Sequence, residues 1–186
     1  MSGVVGPFLI ASLLVAVGGA AKVVAPTSTT RALAGVGVPT RAWMVRALGV
    51  TELALGALAA PIGGRILPGL VAVAYVCFAL FVVVALRAGD RVASCGCFGS
   101  ATTPPSRLHV AVNLVCAGVA AVAAAADLDP LADVLADQPL VGVPFLALAA
   151  LGLGLVAAVL TLLPQVLDRS PATPAVPTFA ISGGPR

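Results

Sequence analysis

Charged side chains are scarce in this 186-residue chain, where they make up 9% of the residues against 60% for hydrophobic ones. A soluble domain of this length typically has about 25% charged residues, so this composition excludes an ordinary soluble fold. The ten basic residues are scattered singly, so the chain lacks the basic patch that marks a nucleic-acid-binding protein. The composition predicts an integral membrane protein whose partner is the lipid bilayer and not nucleic acid.

Potential metal ligands are also few, since the chain has one histidine and four cysteines. Two neighbouring thiols and a single imidazole fall short of the usual four ligands of a zinc site. The chain has no large soluble domain that disulfides would stabilise, so the cysteines are not expected to form a structural disulfide framework. We therefore predict no metal site and assign the closely spaced cysteines to redox chemistry, with binding of a soft metal as the alternative.

Long apolar runs are what the sequence has in abundance. At a rise of ~1.5 Å per residue, roughly 20 apolar residues cross a hydrocarbon core of about 30 Å. The sequence predicts five such spans, at about residues 3–25, 41–62, 66–86, 108–126 and 140–163. No Lys or Arg precedes the first span, as one would precede the apolar part of a signal peptide, so we expect this helix to be retained.

The predicted fold is an all-α integral membrane protein, a four-helix transmembrane bundle plus a fifth C-terminal transmembrane helix. The four-helix domain takes residues 1–126, with a connector at 26–40 whose threonines, glycines and prolines favour turns and one short interfacial helix. Residues 127–164 comprise an acidic loop and the fifth helix. Residues 165–186 form a proline-rich tail that we expect to be disordered, because it has no apolar periodicity.

Two thiols stand one residue apart in the segment SCGCFGS (94–100), between the third and fourth spans. The spacing of Cys95 and Cys97 brings their Cα atoms to roughly 5–7 Å, within reach of a disulfide, but so small a ring is strained and easily reduced. Gly96 gives this turn the freedom to close and reopen. The pattern favours a reversible redox pair. The alternative is a membrane scaffold or transporter in which the two thiolates bind a soft metal such as Cu(I).

The second span contains Glu52. A charged residue in mid-membrane costs about 2.5–3.5 kcal/mol on insertion scales, so such a carboxylate normally faces other helices and has a partner or a proton. Lys22 and Arg46 are the nearest basic candidates in depth, although Lys22 could instead extend its ammonium towards the interface. Gly49 and Gly56 would let a neighbouring helix approach closely on the same side.

The fourth span places His109, Asn113 and Cys116 at positions i, i+4 and i+7, which form one helix face that leads inwards from the thiol segment. With an ordinary pKa of roughly 6.5, His109 is suited to carry a proton, and its alternative role is that of an interfacial residue at a helix start. Cys77 and Cys116 lie at similar predicted depth. A second thiol pair is sterically allowed there, but we expect both to be buried small hydrophobes.

Basic residues are concentrated in the first and third connections and in the segments beside them: Lys22, Arg31, Arg41, Arg46, Arg87, Arg91 and Arg107. The second connection has only Arg65, and the fourth has none. The positive-inside rule therefore predicts a multi-pass protein of the cell membrane with its N-terminus outside. The C-terminus and the thiol segment are then cytoplasmic.

Four sequence features together resemble the MauE family, redox-associated membrane proteins named for methylamine utilisation and related to the DoxX-like proteins. They are the AAK ending of the first span (20–22), ELALG in the second (52–56), CGCFG after the third (95–99) and Asn113 in the fourth. The resemblance covers about residues 5–126, the predicted four-helix unit. The thiol motif in its membrane setting is the most specific of these features.

The resemblance implies a membrane accessory to thiol–disulfide chemistry that exchanges electrons with a thioredoxin-like partner. It implies that Cys95 and Cys97 are the redox pair and that Glu52 and Asn113 are supporting polar positions. The founding member is linked to maturation of the disulfide-rich small subunit of methylamine dehydrogenase, a role that suits an outward-facing thiol pair better than an inward-facing one. By analogy with other membrane thiol oxidases, a quinone is the expected acceptor if electrons enter the membrane, although no quinone motif is readable.

Overall fold

The computed structural model describes residues 3–89, Val92, 104–136 and 139–168, and in the last segment the side chains of residues 144–163. The described part of the chain is all-α, with seven helices: α1 (Val5–Val24), α2 (Pro26–Gly35), α3 (Ala42–Ile62), α4 (Ile66–Ala88), α5 (Arg107–Ala126), α6 (Leu131–Ala136) and α7 (Pro139–Asp168). Helices α1, α3, α4 and α5, and residues Pro144–Leu163 of α7, are long and apolar enough to cross a membrane. The predicted fold class and all five predicted spans are confirmed.

The two short helices lie in the connections between spans. Helix α2 has Pro26 at its first position, where a missing N–H costs nothing, and it confirms the predicted connector helix. Helix α6 lies within the acidic stretch that the sequence analysis assigned to a loop, so that assignment was incomplete. Its LADVLA sequence combines strong helix formers with a buried apolar side chain, Val134, that packs against the core.

Helix α1 is the centre of the bundle. It packs against α3, α5 and α7, while α4 packs mainly against α5. Many of its apolar side chains, among them Phe8 and Val15, are almost fully buried. The more exposed apolar side chains of α3, α4 and α7 are suited to contact lipid, whose chains are as apolar as the side chains themselves.

Glycines set the close packing of α1 on α3. A Cβ atom added at Gly49 would lie 2.7 Å from the Gly19 carbonyl oxygen and 2.9 Å from the Lys22 Cβ, distances that real Cβ atoms do not show. A Cβ at Gly56 would collide with the backbone of Ser12 and Ala16. The predicted role of Gly49 and Gly56 in close helix approach is confirmed. Gly19 of α1 also allows this approach, because a Cβ there would collide with the backbone of α3.

At one end of the bundle, backbone and side-chain contacts join the α3–α4 turn to the residues that follow α5. The N–H of Gly64 donates to the carbonyl of Leu128 at 2.7 Å, and the exposed Arg65 and Asp127 side chains form an ion pair at 3.0 Å. Gly63 has a positive φ of 69°, and a Cβ there would collide with the Leu128 carbonyl, so this turn requires glycine. These contacts tie the α3–α4 turn to the segment that follows α5.

The opposite end is where α1 ends, α3 begins, α4 ends and α5 begins. The connection that carries the predicted thiol pair therefore starts and finishes at this end. Cys95 and Cys97 themselves, and the predicted disordered tail beyond residue 168, lie outside the described residues.

Candidate functional site

A buried ion pair joins α1 to α3 within the membrane-spanning part of the bundle. Lys22 Nζ lies 2.7 Å from Glu52 Oε2, and the two side chains are only 9% and 5% exposed. Of the two predicted possibilities for Glu52, a partner or a proton, the structure shows a partner. Lys22 is that partner and does not extend towards the interface, whereas Arg46 is exposed.

The packing of the two helices explains this pairing. Gly19 and Lys22 are one helical turn apart on α1, as are Gly49 and Glu52 on α3. A Cβ at Gly19 would lie 2.9 Å from Glu52 Cβ, and one at Gly49 would lie equally close to Lys22 Cβ. Each glycine thus makes room for the charged residue of the other helix.

Aromatic side chains of α4 support the ion pair. Lys22 Nζ lies 5.4 Å from the centre of the Phe78 ring, a cation–π arrangement, and Phe78 meets Tyr75 edge to face with 5.8 Å between ring centres. The Tyr75 hydroxyl donates to the Ala11 carbonyl at 2.6 Å and also contacts the Cys116 thiol. The pair is therefore held in place by α4 as well as by α1 and α3.

Beside the ion pair lies a cavity of about 270 Å³. Its wall is mostly apolar, and its polar or sulfur-containing lining residues are Lys22, Thr29, Glu52, Tyr75, Cys77, His109 and Asn113. The lining residues come from the last half of α1, from α2, from the first half of α3, from the later part of α4, from the start of α5 and, with Leu160, from α7. The cavity therefore occupies the half of the bundle next to the connection that carries Cys95 and Cys97.

Glu52 presents one oxygen of its carboxylate without a partner. Oε2 accepts from Lys22, whereas Oε1 is fully buried and has no hydrogen-bond partner among the described residues. Glu52 and Asn113 both line the cavity. The residues around the mostly apolar cavity thus include a carboxylate with one unpaired oxygen and a side-chain amide.

His109 links the start of α5 to α7. Its imidazole is buried, its Nδ1 lies 2.7 Å from the Ser106 hydroxyl, and the ring donates to the backbone carbonyl of Leu160. These contacts fix the orientation of the ring on the cavity wall. The role of His109 in carrying a proton stays a prediction.

The structure places the other residues singled out in the sequence as follows. Glu52, His109 and Asn113 meet at one cavity, and the functions assigned to them stay predictions. Cys77 and Cys116 are free thiols. Cys77 is exposed on α4, so the expectation that it is buried was wrong, while Cys116 is partly buried behind Tyr75.

The sequence analysis missed the aromatic part of the site. Tyr75 and Phe78 are three residues apart on α4, and this spacing places them on one helix face, which is the only signal that could have paired them. Across the described ranges, no three His, Cys, Asp or Glu side chains come together in a group that could hold a metal ion.

Comparison with known proteins identifies a family. No curated protein and no solved structure matches the chain. The family described as methylamine utilisation protein MauE matches residues 2–127, which include α1 to α5 and every residue of the cavity wall except Leu160. This match covers about two thirds of the sequence and bears out the resemblance. The chain belongs to the MauE family.

Proposed function

We propose that this MauE-family membrane protein is an accessory to thiol–disulfide chemistry and exchanges electrons with a thioredoxin-like partner through Cys95 and Cys97. The observation that carries the proposal is the CGCFG sequence within the region that the family matches. The family description names methylamine utilisation, so the proposed targets are protein thiols of an enzyme of methylamine metabolism or of other proteins.

The proposed reaction is a two-step exchange. The thiolate of one cysteine attacks the partner's disulfide and forms a mixed disulfide, and the partner's other sulfur leaves as a thiolate. The second cysteine then attacks this mixed disulfide, which leaves the Cys95–Cys97 pair oxidised and the partner with two thiols. Two electrons have passed to the partner, and the reverse sequence returns them.

The position of the thiol pair in the chain supports the proposal. Cys95 and Cys97 belong to the connection between α4 and α5, so a water-soluble partner can reach this connection at the membrane surface. The connection also joins the two helices that supply Phe78 and Asn113 to the cavity. The proposed redox reaction therefore takes place at the end of the bundle that is next to the cavity.

A trapping experiment tests the proposal. Cys97→Ser and Cys95→Ser variants each keep one thiol of the pair and lack the neighbouring thiol that would resolve a mixed disulfide. We expect one of them to accumulate an adduct that is visible on a non-reducing gel, is lost on reduction and contains a thioredoxin-like protein by mass spectrometry. Cys77→Ser is the matched control, because it removes a free thiol of a membrane span and keeps the pair.

The opposite result is equally specific. If neither variant yields an adduct, and Cys95 and Cys97 stay reduced in cells while the purified protein carries stoichiometric copper or zinc, the redox proposal is wrong. That result would establish the alternative of a soft-metal scaffold or transporter.

A further inference from the structure

We propose that the cavity beside the Lys22–Glu52 pair binds the ring of a membrane quinone, and that it holds the reduced quinol form most tightly. This inference goes beyond the proposed thiol chemistry. It rests on the size of the cavity, its exposure to lipid and the unpaired carboxylate oxygen of Glu52, a residue that lines it.

The size and the rim of the cavity define the kind of ligand. Its volume of about 270 Å³ is close to the lower end, roughly 300 Å³, of pockets that hold small molecules, which suits a single ring system. Leu48, which is 45% exposed, and the exposed Cys77 both line it, and both belong to membrane-spanning helices. A lipid-soluble compound can therefore enter sideways from the bilayer and leave an isoprenoid tail outside.

The polar groups define the chemistry of that ring. Glu52 Oε1 is a buried acceptor without a partner in the described part of the chain, and such a group is costly until a donor reaches it. Lys22 already balances the charge of Glu52, so the ligand is expected to be neutral. A quinol hydroxyl donates to Oε1, and Asn113 offers an amide for a second oxygen, whereas the acyl chain of a lipid would leave Oε1 unpaired.

Quinol binding would make a quinone the electron acceptor of the thiol pair. This step rests on the proposed function, whereas the binding itself does not. When the thiols of Cys95 and Cys97 join in a disulfide, they give up two electrons and two protons. A quinone takes up both electrons and both protons and becomes a quinol. The cavity would then hold the product of that step, as expected for a quinone acting as the electron acceptor.

Calorimetric titration of the full chain in lipid nanodiscs tests the binding, with empty nanodiscs subtracted. The probes, used without oxygen, are menadiol, menadione and the dimethyl ether of menadiol. We expect one saturable site for menadiol and at least about tenfold weaker binding of the ether, because the ether has no hydrogen to donate to a charged acceptor. Equal affinities for menadiol and its ether, or a signal no larger than that of empty nanodiscs, would overturn the inference.

Variants locate the site. Val112→Phe fills the cavity without touching the ion pair and should abolish menadiol binding, whereas Val115→Phe, at a position of the same helix that is 66% exposed, should leave it unchanged. Binding that survives Val112→Phe would contradict the assignment. Glu52→Gln should reduce the preference for menadiol over its ether.

A final variant separates this inference from the proposed function. Cys95→Ser/Cys97→Ser should bind menadiol as the unmodified protein does. Menadiol binding without any partner adduct would overturn only the thiol proposal, and partner adducts without menadiol binding would overturn only the quinol site.

Discussion

Lys22 and Glu52 are two opposite charges buried among apolar helices. Removing a charge from water carries a large desolvation penalty, and the attraction between the two ions offsets it only while both are present. The distance of 2.7 Å, the Phe78 ring and the close approach of α1 to α3 keep the two groups together. Each residue therefore depends on the other, and this dependence is measurable.

A double-mutant cycle measures this dependence. Lys22→Met or Glu52→Leu alone should lower the free energy of unfolding by about 3–5 kcal/mol, since each leaves an uncompensated buried charge. The double variant should lose less unfolding free energy than the two single variants lose in total. Unfolding of the purified variants in detergent, followed by circular dichroism, gives the three values.

The Arg65–Asp127 pair is the control for that cycle. Its side chains are well exposed, so Arg65→Ala should change stability by no more than about 1 kcal/mol. Additive losses for Lys22 and Glu52, or a loss at Arg65 as large as theirs, would show that the buried pair has no special role.

The sequence predicted that Glu52 has a partner or a proton and did not choose between Lys22 and Arg46 as the partner. Arg46 precedes Glu52 by six positions on the same helix, a spacing that puts the two on different faces, so helical geometry alone disfavours it. The direction of Lys22 could not be predicted. A lysine near a helix end can reach the interface, and only the packing of α1 on α3 and α4 turns it inwards.

At the scale of helices, the α1–α3 contact depends on the absence of side chains. Gly49→Ala adds only a Cβ atom, yet that atom would meet the backbone of Gly19 and the side chain of Lys22. We expect a loss of about 1–3 kcal/mol in unfolding free energy, as for other overpacked positions. Unfolding in detergent checks the value, and a lengthened Lys22–Glu52 contact should accompany it.

Gly118→Ala is the matched control, because a Cβ at Gly118 on α5 would meet nothing within 4 Å. Alanine is the better helix former, so this variant should be as stable as the original protein or slightly more stable. Equal effects at Gly49 and Gly118 would mean that close helix approach does not stabilise the bundle.

The elements differ in how readily they could be predicted. The five spans follow from long apolar runs, whose length is fixed by the thickness of the bilayer. Gly49 and Gly56 were identified beside Glu52, but Gly19 was not, since its role appears only when α1 meets α3. Helix α6 was missed because four aspartates in residues 127–138 resemble a solvated loop, while the burial of Val134 depends on its neighbours.

At the scale of the whole molecule, the cavity draws on more than the four-helix unit. Helix α7 lies beyond the region that the family matches, yet Leu160 lines the cavity and accepts from His109. Sequence alone could not predict this contact, because apolar residues of α7 offer no signal for which of them faces the bundle. We infer that α7 closes one side of the site.

The two ends of the bundle carry unlike charge, and this difference yields the last prediction. Alternation of the spans places Arg31, Arg41, Arg46, Arg87 and Arg107 at the end of the thiol connection, whereas the other end has Arg65 with Asp127, Asp129 and Asp133. From the positive-inside rule we predict that the thiol connection faces the cytoplasm. A membrane-impermeant maleimide, applied to variants with a single cysteine, should label Cys97 in inside-out vesicles and not in right-side-out ones.

Asp133→Cys at the opposite end is the control and should show the reverse pattern, since Asp133 lies on an exposed turn of α6. Labelling of Cys97 in right-side-out vesicles would show the opposite topology. The thiol pair would then face the compartment of exported proteins, which suits a role in enzyme maturation outside the cytoplasm. Because the cavity lies in the same half of the bundle as the thiol connection, this one measurement also assigns the cavity to a leaflet.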